Sequence, residues 1–418
     1  MKPKIEQGIG SYTFSWNQRE DTLIMRLSRI RERSGGQPTC YMVTSVKQGE
    51  QVRHIYGADF NLSSEQVRAR RAKTLAARYE GPDWDMILEQ LCLEMMEHLH
   101  QGQPIEVLRS NNPDLKPPSF LVKPLLYGHL PNVLFGEGGA LKGYLALCLA
   151  LSAQLPWTDN PLGFTPARQS TKVLYLDWES DRDETEYRWS QMIKGMGLPD
   201  QELAYRRCFR SLQDDIEEIH TKASEIGAGL IIVDSLAPAC GAVDIFKSDP
   251  AIQLFNLLRE LNLTSLIIAH TSKDKEKGKT IYGSVFFGNL SRSVWEIQKQ
   301  QEPGSSVAEV ALFHRKVNPG GHLPPMGLKY NFFEEGVVIE RIDVASVPGF
   351  SEKLPVRIQI EHLLRMGALT TKEISDELQI PQNTVRVTLN RFRQKFTHVG
   401  DKWGLLARQG HEVPEAFR

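Results

Sequence analysis

The stretch Asn132-Val-Leu-Phe-Gly-Glu-Gly-Gly-Ala-Leu-Lys-Gly-Tyr-Leu-Ala-Leu-Cys-Leu-Ala150 decides the fold. A short apolar run at 132–135 gives way to a glycine-rich turn at 136–143 and then to a helix-like apolar segment at 144–150. A turn of this kind between strand and helix lets backbone N–H groups close around phosphates. The lysine neutralises the β and γ charges, and the helix dipole adds to the field. The nucleotide-binding candidates are therefore Gly136, Glu137, Gly138, Gly139, Ala140, Leu141, Lys142, Gly143 and Tyr144. Measured against G-x-x-x-x-G-K-[ST], Gly136 and Lys142 match. Leu141 replaces the second glycine, and Gly143 replaces the hydroxyl residue that would ligate magnesium. Taken alone, the loop also reads as a plain glycine-rich connection.

Three more apolar runs come later in the chain: Val173-Leu-Tyr-Leu-Asp177, Leu230-Ile-Ile-Val-Asp234 and Leu266-Ile-Ile-Ala269. Short apolar strands separated by helical stretches make a parallel sheet buried on both faces, so the central body is expected to be a doubly wound α/β fold. In such a sheet the strand ends share one rim. Asp234 closes its strand where a carboxylate holds magnesium through water. Glu179, just past the second strand, stands where it can polarise a water for attack on the γ-phosphate. Glu179 also reads as an ordinary exposed residue opening the acidic run of Asp181, Asp183, Glu184 and Glu186, and Asp177 as a helper or a buried hydrogen-bonding group.

With 418 residues the chain has room for two or three domains of roughly 150 residues. Apolar residues at 41% and charged residues at 24% are globular values and argue against wholesale disorder. The net charge of −1 means that any nucleic-acid surface must come from local charge placement. The five cysteines show neither metal nor redox spacing and are expected reduced. The N-terminus lacks a secretory pattern, and no apolar run approaches a membrane span. A soluble, cytoplasmic protein without membrane partners is the expectation. Proline- and glycine-rich stretches at 110–119 and 347–355 divide the chain. Residues 1–110 are expected to form an α+β accessory domain, with a hairpin from 40–46 and 51–56. Two helices come after it, the second burying Trp84, Ile87, Leu88, Leu91, Met95 and Leu99. Arg68, Arg70, Arg71 and Lys73 form a basic cluster that reads as a solvated face or as a phosphate contact.

The segments LFGEGGALKGYLAL, VLYLDWE, LIIVDSLAPACG, LIIAHTSKD and IYGSVFFGNLSRSVWEI, in that order, resemble the RecA-fold ATPases of the plasmid RepA type. These are relatives of the ring-forming replicative helicases and of the KaiC and RadA proteins. The resemblance covers about half of the chain and implies a RecA-like P-loop ATPase core over 120–345 with ATP and Mg2+ as cofactors. It further implies Glu179 as catalytic glutamate, Asp234 as metal-holding aspartate, His270 as polar sensor, and a homo-oligomer, as a hexameric ring. One subunit would supply a basic finger to its neighbour's nucleotide. Arg315 and Lys316 are the candidates, with Arg292 behind them. The stretch 272–280 matches a channel-facing loop in such rings, so Lys273, Lys275, Lys277 and Lys279 are candidates to track DNA, or simply a solvated loop.

The last segment, 354–408, changes to short helices. Thr370-Thr-Lys-Glu373 is a capping box, Gln379-Ile-Pro381 a turn, and a second helix from Asn383 carries Arg386, Arg391, Arg393 and Lys395 with no acid between. With the hairpin expected around Gly400-Asp401, the segment resembles a winged helix-turn-helix domain. Thr384, Arg386, Asn390 and Arg391 are the DNA-contact candidates; protein interaction is the competing use. Three functions fit: a DNA-associated RecA-type motor, helicase-like, in plasmid or phage replication; an ATP-binding, hydrolysis-impaired DNA adaptor or regulator, for which Gly143 speaks; and a repressor whose central body only assembles the C-terminal domains.

Overall fold

The computed structural model describes residues 2–18, 21–33, 37–101, 105–108, 110–111, 117–241, 244–272 and 280–406. The N-terminal part is an antiparallel meander of β1 (Lys4–Gly8), β2 (Ser11–Gln18), β3 (Asp21–Arg33), β4 (Gln37–Gln48) and β5 (Gln51–Asn61), paired in chain order. Alternation puts Phe14, Trp16, Leu23, Met25, Leu27, Cys40 and Met42 on one buried face. Helices α1 (Glu65–Ala76) and α2 (Trp84–His100) cover it. Sequence periodicity points to the β4–β5 hairpin and to α2, whose Trp84, Ile87, Leu88, Leu91 and Met95 are buried. It misses β1 to β3, whose segments are rich in polar residues.

The central body is built on β8 (Pro131–Gly136), which comes after the small hairpin β6 (Phe120–Val122) and β7 (Leu126–Tyr127). After α3 (Lys142–Gln154) come β9 (Lys172–Asp177), α4 (Arg182–Gly195), β10 (Ala204–Arg207), α5 (Leu212–Ile226) and β11 (Ala228–Asp234). Helices α6 (Leu236–Cys240) and α7 (Ser248–Glu260), strand β12 (Thr264–His270) and helix α8 (Val285–Leu290) complete the alternation. Strand β13 (Ser293–Gln300) is the last parallel strand. It leads into an antiparallel extension of β14 (Val307–Val317), β15 (Met326–Phe332) and β16 (Val337–Ile342). The strand order is β10-β9-β11-β12-β8-β13-β14-β15-β16. This is the expected α/β architecture, a RecA-like P-loop core; the extension and the edge strand β10 were not legible in the sequence.

Both faces of the parallel strands are buried, and alternate residues serve different layers. Leu134, Tyr175, Ile232 and Ile268 pack beneath α3 and α4, whereas Val133, Leu176, Val233 and Ile267 pack beneath α5 and α7. Every residue of α3 from Leu145 to Gln154 is buried, so this helix carries no polar face. That explains the continuous apolar run after the loop.

The chain then passes α9 (Pro348–Ser351) and forms α10 (Val356–Leu364), α11 (Thr371–Leu378) and α12 (Gln382–Arg391), closed by a hairpin of β17 (Phe396–Val399) and β18 (Lys402–Leu405). Ile360, Leu364, Ile374, Val385, Leu389, Phe396 and Trp403 make its core. Thr370 and Glu373 form the capping box at α11, and Gly400 turns the hairpin with a φ of 68°.

Gly136 is where fold and loop meet, because a Cβ there would lie 2.5 Å from the carbonyl oxygen of Ile297 on β13. Gly136→Ala is expected to lower stability by about 2 kcal/mol, measured by urea denaturation, since backbone on both sides must move. Gly138→Ala, with nothing within 4 Å of the new carbon, should stay within about 0.5 kcal/mol of wild type.

Candidate functional site

Parallel registration sets the site. Gly136 pairs with His270, Ile268 with Asp234, and Asp234 with Asp177, so the C-terminal ends of β8, β12, β11 and β9 form one rim. The loop 136–141 rises from that rim and Lys142 opens α3. Leu141 holds the left-handed conformation, φ 62°, at the position of the motif's second glycine. A non-glycine residue pays steric strain there of roughly 1–2 kcal/mol. Its side chain packs on the core, so the loop keeps its turn despite the departure in sequence.

Lys142 is buried, and its Nζ donates to the carbonyls of Gly136 and Glu137 at 3.1 and 2.7 Å. Burial pulls its pKa below the ordinary lysine value, opposed by the negative charges of Glu179, Asp234 and Glu137. Asp234 is also buried. Burial pushes its carboxyl up to about 6, with the charges of Glu179 and Asp177 adding to the rise, against the Tyr175 hydroxyl that donates to its Oδ2 at 2.5 Å and the charge of Lys142. Glu179 is more open. Its Oε1 accepts from the Ser235 hydroxyl and contacts His270 Nε2 at 3.0 Å. Burial alone would raise the Glu179 carboxyl. The hydrogen bonds from Ser235 and His270, with the charges of His270 and Lys142, outweigh it and hold the carboxyl below its ordinary value. The group is therefore an anion at neutral pH, with Oε2 left to take a water.

Asp177 has a different job. Its Oδ1 accepts from the backbone N–H groups of Glu179 and Ser180 at 2.9 and 2.8 Å, and its Oδ2 from Thr185 and Tyr205 at 3.2 and 3.0 Å. It shapes the bend that carries Glu179. Ser235, next to Asp234, was not singled out in the sequence; only its bond to Glu179 marks it.

A P-loop domain implies a divalent cation, usually held by a loop hydroxyl facing the strand aspartate. A Cβ at Gly143 would stand 4.0 Å from Asp234 Oδ2, so position 143 faces that carboxylate. It bears no oxygen, and the same Cβ would meet the guanidinium of Arg188, from α4, at 3.2 Å. Arg188 also pairs with Glu184 and lies 5.7 Å from the centre of the Tyr144 ring. The Arg188 guanidinium thus stands close to the Gly143 backbone. The residues present do not fit a metal held in the usual way.

The remaining candidates lie elsewhere. Arg315 pairs with the buried Glu296 through Nη2 at 2.6 Å, and Lys316 Nζ donates to the carbonyls of Gly288, Asn289 and Ser291 at 2.6–2.9 Å, closing the end of α8. Because β14 runs antiparallel to β13, with Lys316 opposite Val294, these two sit away from the phosphate rim. Neither joins the Lys142 cluster of its own chain. The side chain of Tyr144 packs edge-on against Phe332 and Tyr330, at 5.6 and 6.2 Å. Lys273, Lys275, Lys277 and Lys279 lie outside the described residues. Thr384, Arg386, Asn390 and Arg391 lie on α12, whose Val385 and Leu389 are buried.

Residues 99–276 match a family model described as an AAA domain. Among solved structures, a KaiC-like protein of the hyperthermophilic archaeon Pyrococcus horikoshii is similar to this chain at 12% identity and a TM-score of 0.36, over 56% of this chain and 99% of that one. No curated protein matches the sequence. The matched segment contains Lys142, Glu179, Asp234 and His270.

Proposed function

We propose that the chain is a DNA-associated RecA-type ATPase that acts as a ring-forming, helicase-like motor in plasmid or phage replication. The observation that carries the reading is the convergence of Lys142, Glu179, Asp234 and His270 on one sheet rim. Lys142 and the loop N–H groups take the β and γ phosphates of ATP, and the side chain exchanges its two carbonyl partners for phosphate oxygens. Glu179, steadied by Ser235, receives a proton from water through Oε2 as the water oxygen bonds to the γ-phosphorus and ADP leaves. His270 links Glu179 to the end of β12 and so reports the state of the phosphate to that strand. In a ring the finger is Arg292, an exposed side chain at the opposite rim, since Arg315 and Lys316 are engaged within their own chain.

DNA association rests on α10 to β18 as a winged helix, whose α12 carries Thr384, Arg386, Asn390 and Arg391 with no carboxylate on that helix. A second reading, a nucleotide-binding adaptor with little turnover, draws on the arginine beside Gly143 and the missing oxygen at 143.

Lys142→Ala should weaken ATP binding by about a hundredfold in a calorimetric titration, as a buried charge partner is removed. Glu179→Gln should leave that affinity in place and lower turnover by roughly 100- to 10,000-fold. Equal affinity in wild type and Lys142→Ala eliminates the site. Gly143→Ser combined with Arg188→Ala should create magnesium-stimulated hydrolysis above wild type, and Gly143→Ser alone much less, because the guanidinium still stands at that position; no magnesium response in the double variant counts against the adaptor reading. Arg386→Ala with Arg391→Ala should weaken duplex DNA binding and reduce its salt slope by about 2, read by anisotropy at several salt concentrations.

A further inference from the structure

The N-terminal part carries a groove of about 860 Å³ between the meander and α1, with Asp214 at the start of α5 also lining it. Arg29, Arg31, Arg70, Arg71 and Arg78 line it, together with Tyr41 and Tyr56. Its acidic lining is Asp59 and Asp214, and Asp214 is already paired with Arg31 at 2.5 Å. Two guanidinium groups lie against the Tyr56 ring, Arg71 at 4.4 Å and Arg78 at 4.6 Å from its centre, and Arg29 lies 5.4 Å from the centre of Tyr41.

Two of these arginines, Arg71 and Arg78, hydrogen-bond to neutral groups. Arg71 Nη2 donates to the carbonyl of Asp59 at 3.1 Å and Arg78 Nη1 to that of Ile55 at 2.8 Å, and neither forms an ion pair among the described residues. Arg71 Nε is buried with no hydrogen-bond partner. Two like charges packed on one ring repel each other unless an anion joins them. An arginine fork offers five N–H donors, and carbonyl contacts use few of them.

We propose that this groove binds the sugar–phosphate backbone of single-stranded DNA, with bases stacking against its aromatic and guanidinium faces. The cations come from two separate elements, β3 and the α1 region, which suits a chain of phosphates more than one isolated anion. Alternating cationic and aromatic surface is the chemistry by which single strands are held without sequence preference. The inference rests on the DNA association proposed above and assigns it a second surface, about which α12 says nothing.

The test is anisotropy of a labelled oligothymidylate of roughly 20 nucleotides with the full chain, at several salt concentrations. Arg71→Ala with Arg78→Ala is expected to lower affinity at least tenfold and to reduce the salt slope by about 1.4, the single-strand value for two phosphate contacts. Arg70→Glu, at an exposed helix position, should also weaken binding while leaving the melting temperature unchanged. Unchanged oligothymidylate affinity in both groove variants overturns the proposal, even if the α12 variant loses duplex binding and the wider DNA reading survives. Full displacement of the oligonucleotide by micromolar inorganic pyrophosphate also overturns it, since the groove is then a small-anion site. Wild type that binds neither single-stranded nor duplex DNA overturns this inference and the DNA reading together.

Discussion

A lysine ammonium sunk into the rim of a sheet must find negative charge or lose much of its hydration energy unrepaid, and the rest of the central body is arranged around that requirement. Lys142 is placed by a loop that leaves β8 at Gly136, where the backbone of Ile297 leaves no room for a Cβ. It is held by two carbonyls and by the field of Glu179, Asp234 and Glu137. Those carboxylates need the cation in turn, because Asp234 is buried and Glu179 lies close enough to raise its pKa further. One electrostatic cluster therefore links four strand ends and the start of α3.

The departures from the phosphate-loop pattern have local physical counterparts. Leu141 takes the left-handed backbone of a glycine and recovers part of the strain by packing on the core. Gly143 offers no oxygen toward Asp234, and the Arg188 guanidinium approaches the same backbone position. The loss and the gain lie on different helices, 45 positions apart in the chain by their residue numbers.

Much of the candidate site was legible because phosphate chemistry asks for particular residue types at particular strand ends. Lys142 could be named from the glycine-rich loop, Glu179 and Asp234 from polar residues at or just past the ends of short apolar runs, and His270 from the family resemblance. Ser235 could not, since a serine after a strand is unremarkable until its hydroxyl meets Glu179. Arg188 could not either, as an arginine inside an amphipathic helix reads as surface. The basic cluster in α1 carried a signal whose meaning changed on folding. Arg68 is taken up by Glu89, whereas Arg70 and Arg71 join Arg29, Arg31 and Arg78 around two tyrosines. The finger candidates Arg315 and Lys316 were chosen for charge and order along the chain, and their engagement by Glu296 and by the end of α8 depends on strand direction.

By itself the sequence determined the doubly wound core, the loop after its first strand, the buried helix α3 and the capped helix α11. Each of these is a local matter, written in periodicity, glycine placement and capping residues. The tertiary structure alone decided that six parallel strands continue into three antiparallel ones, that a guanidinium stands where a hydroxyl is missing, and that arginines from β3 and the α1 region share one groove. Such facts depend on contacts between residues far apart in the chain. Registry and packing select them, and no short window of sequence contains both partners.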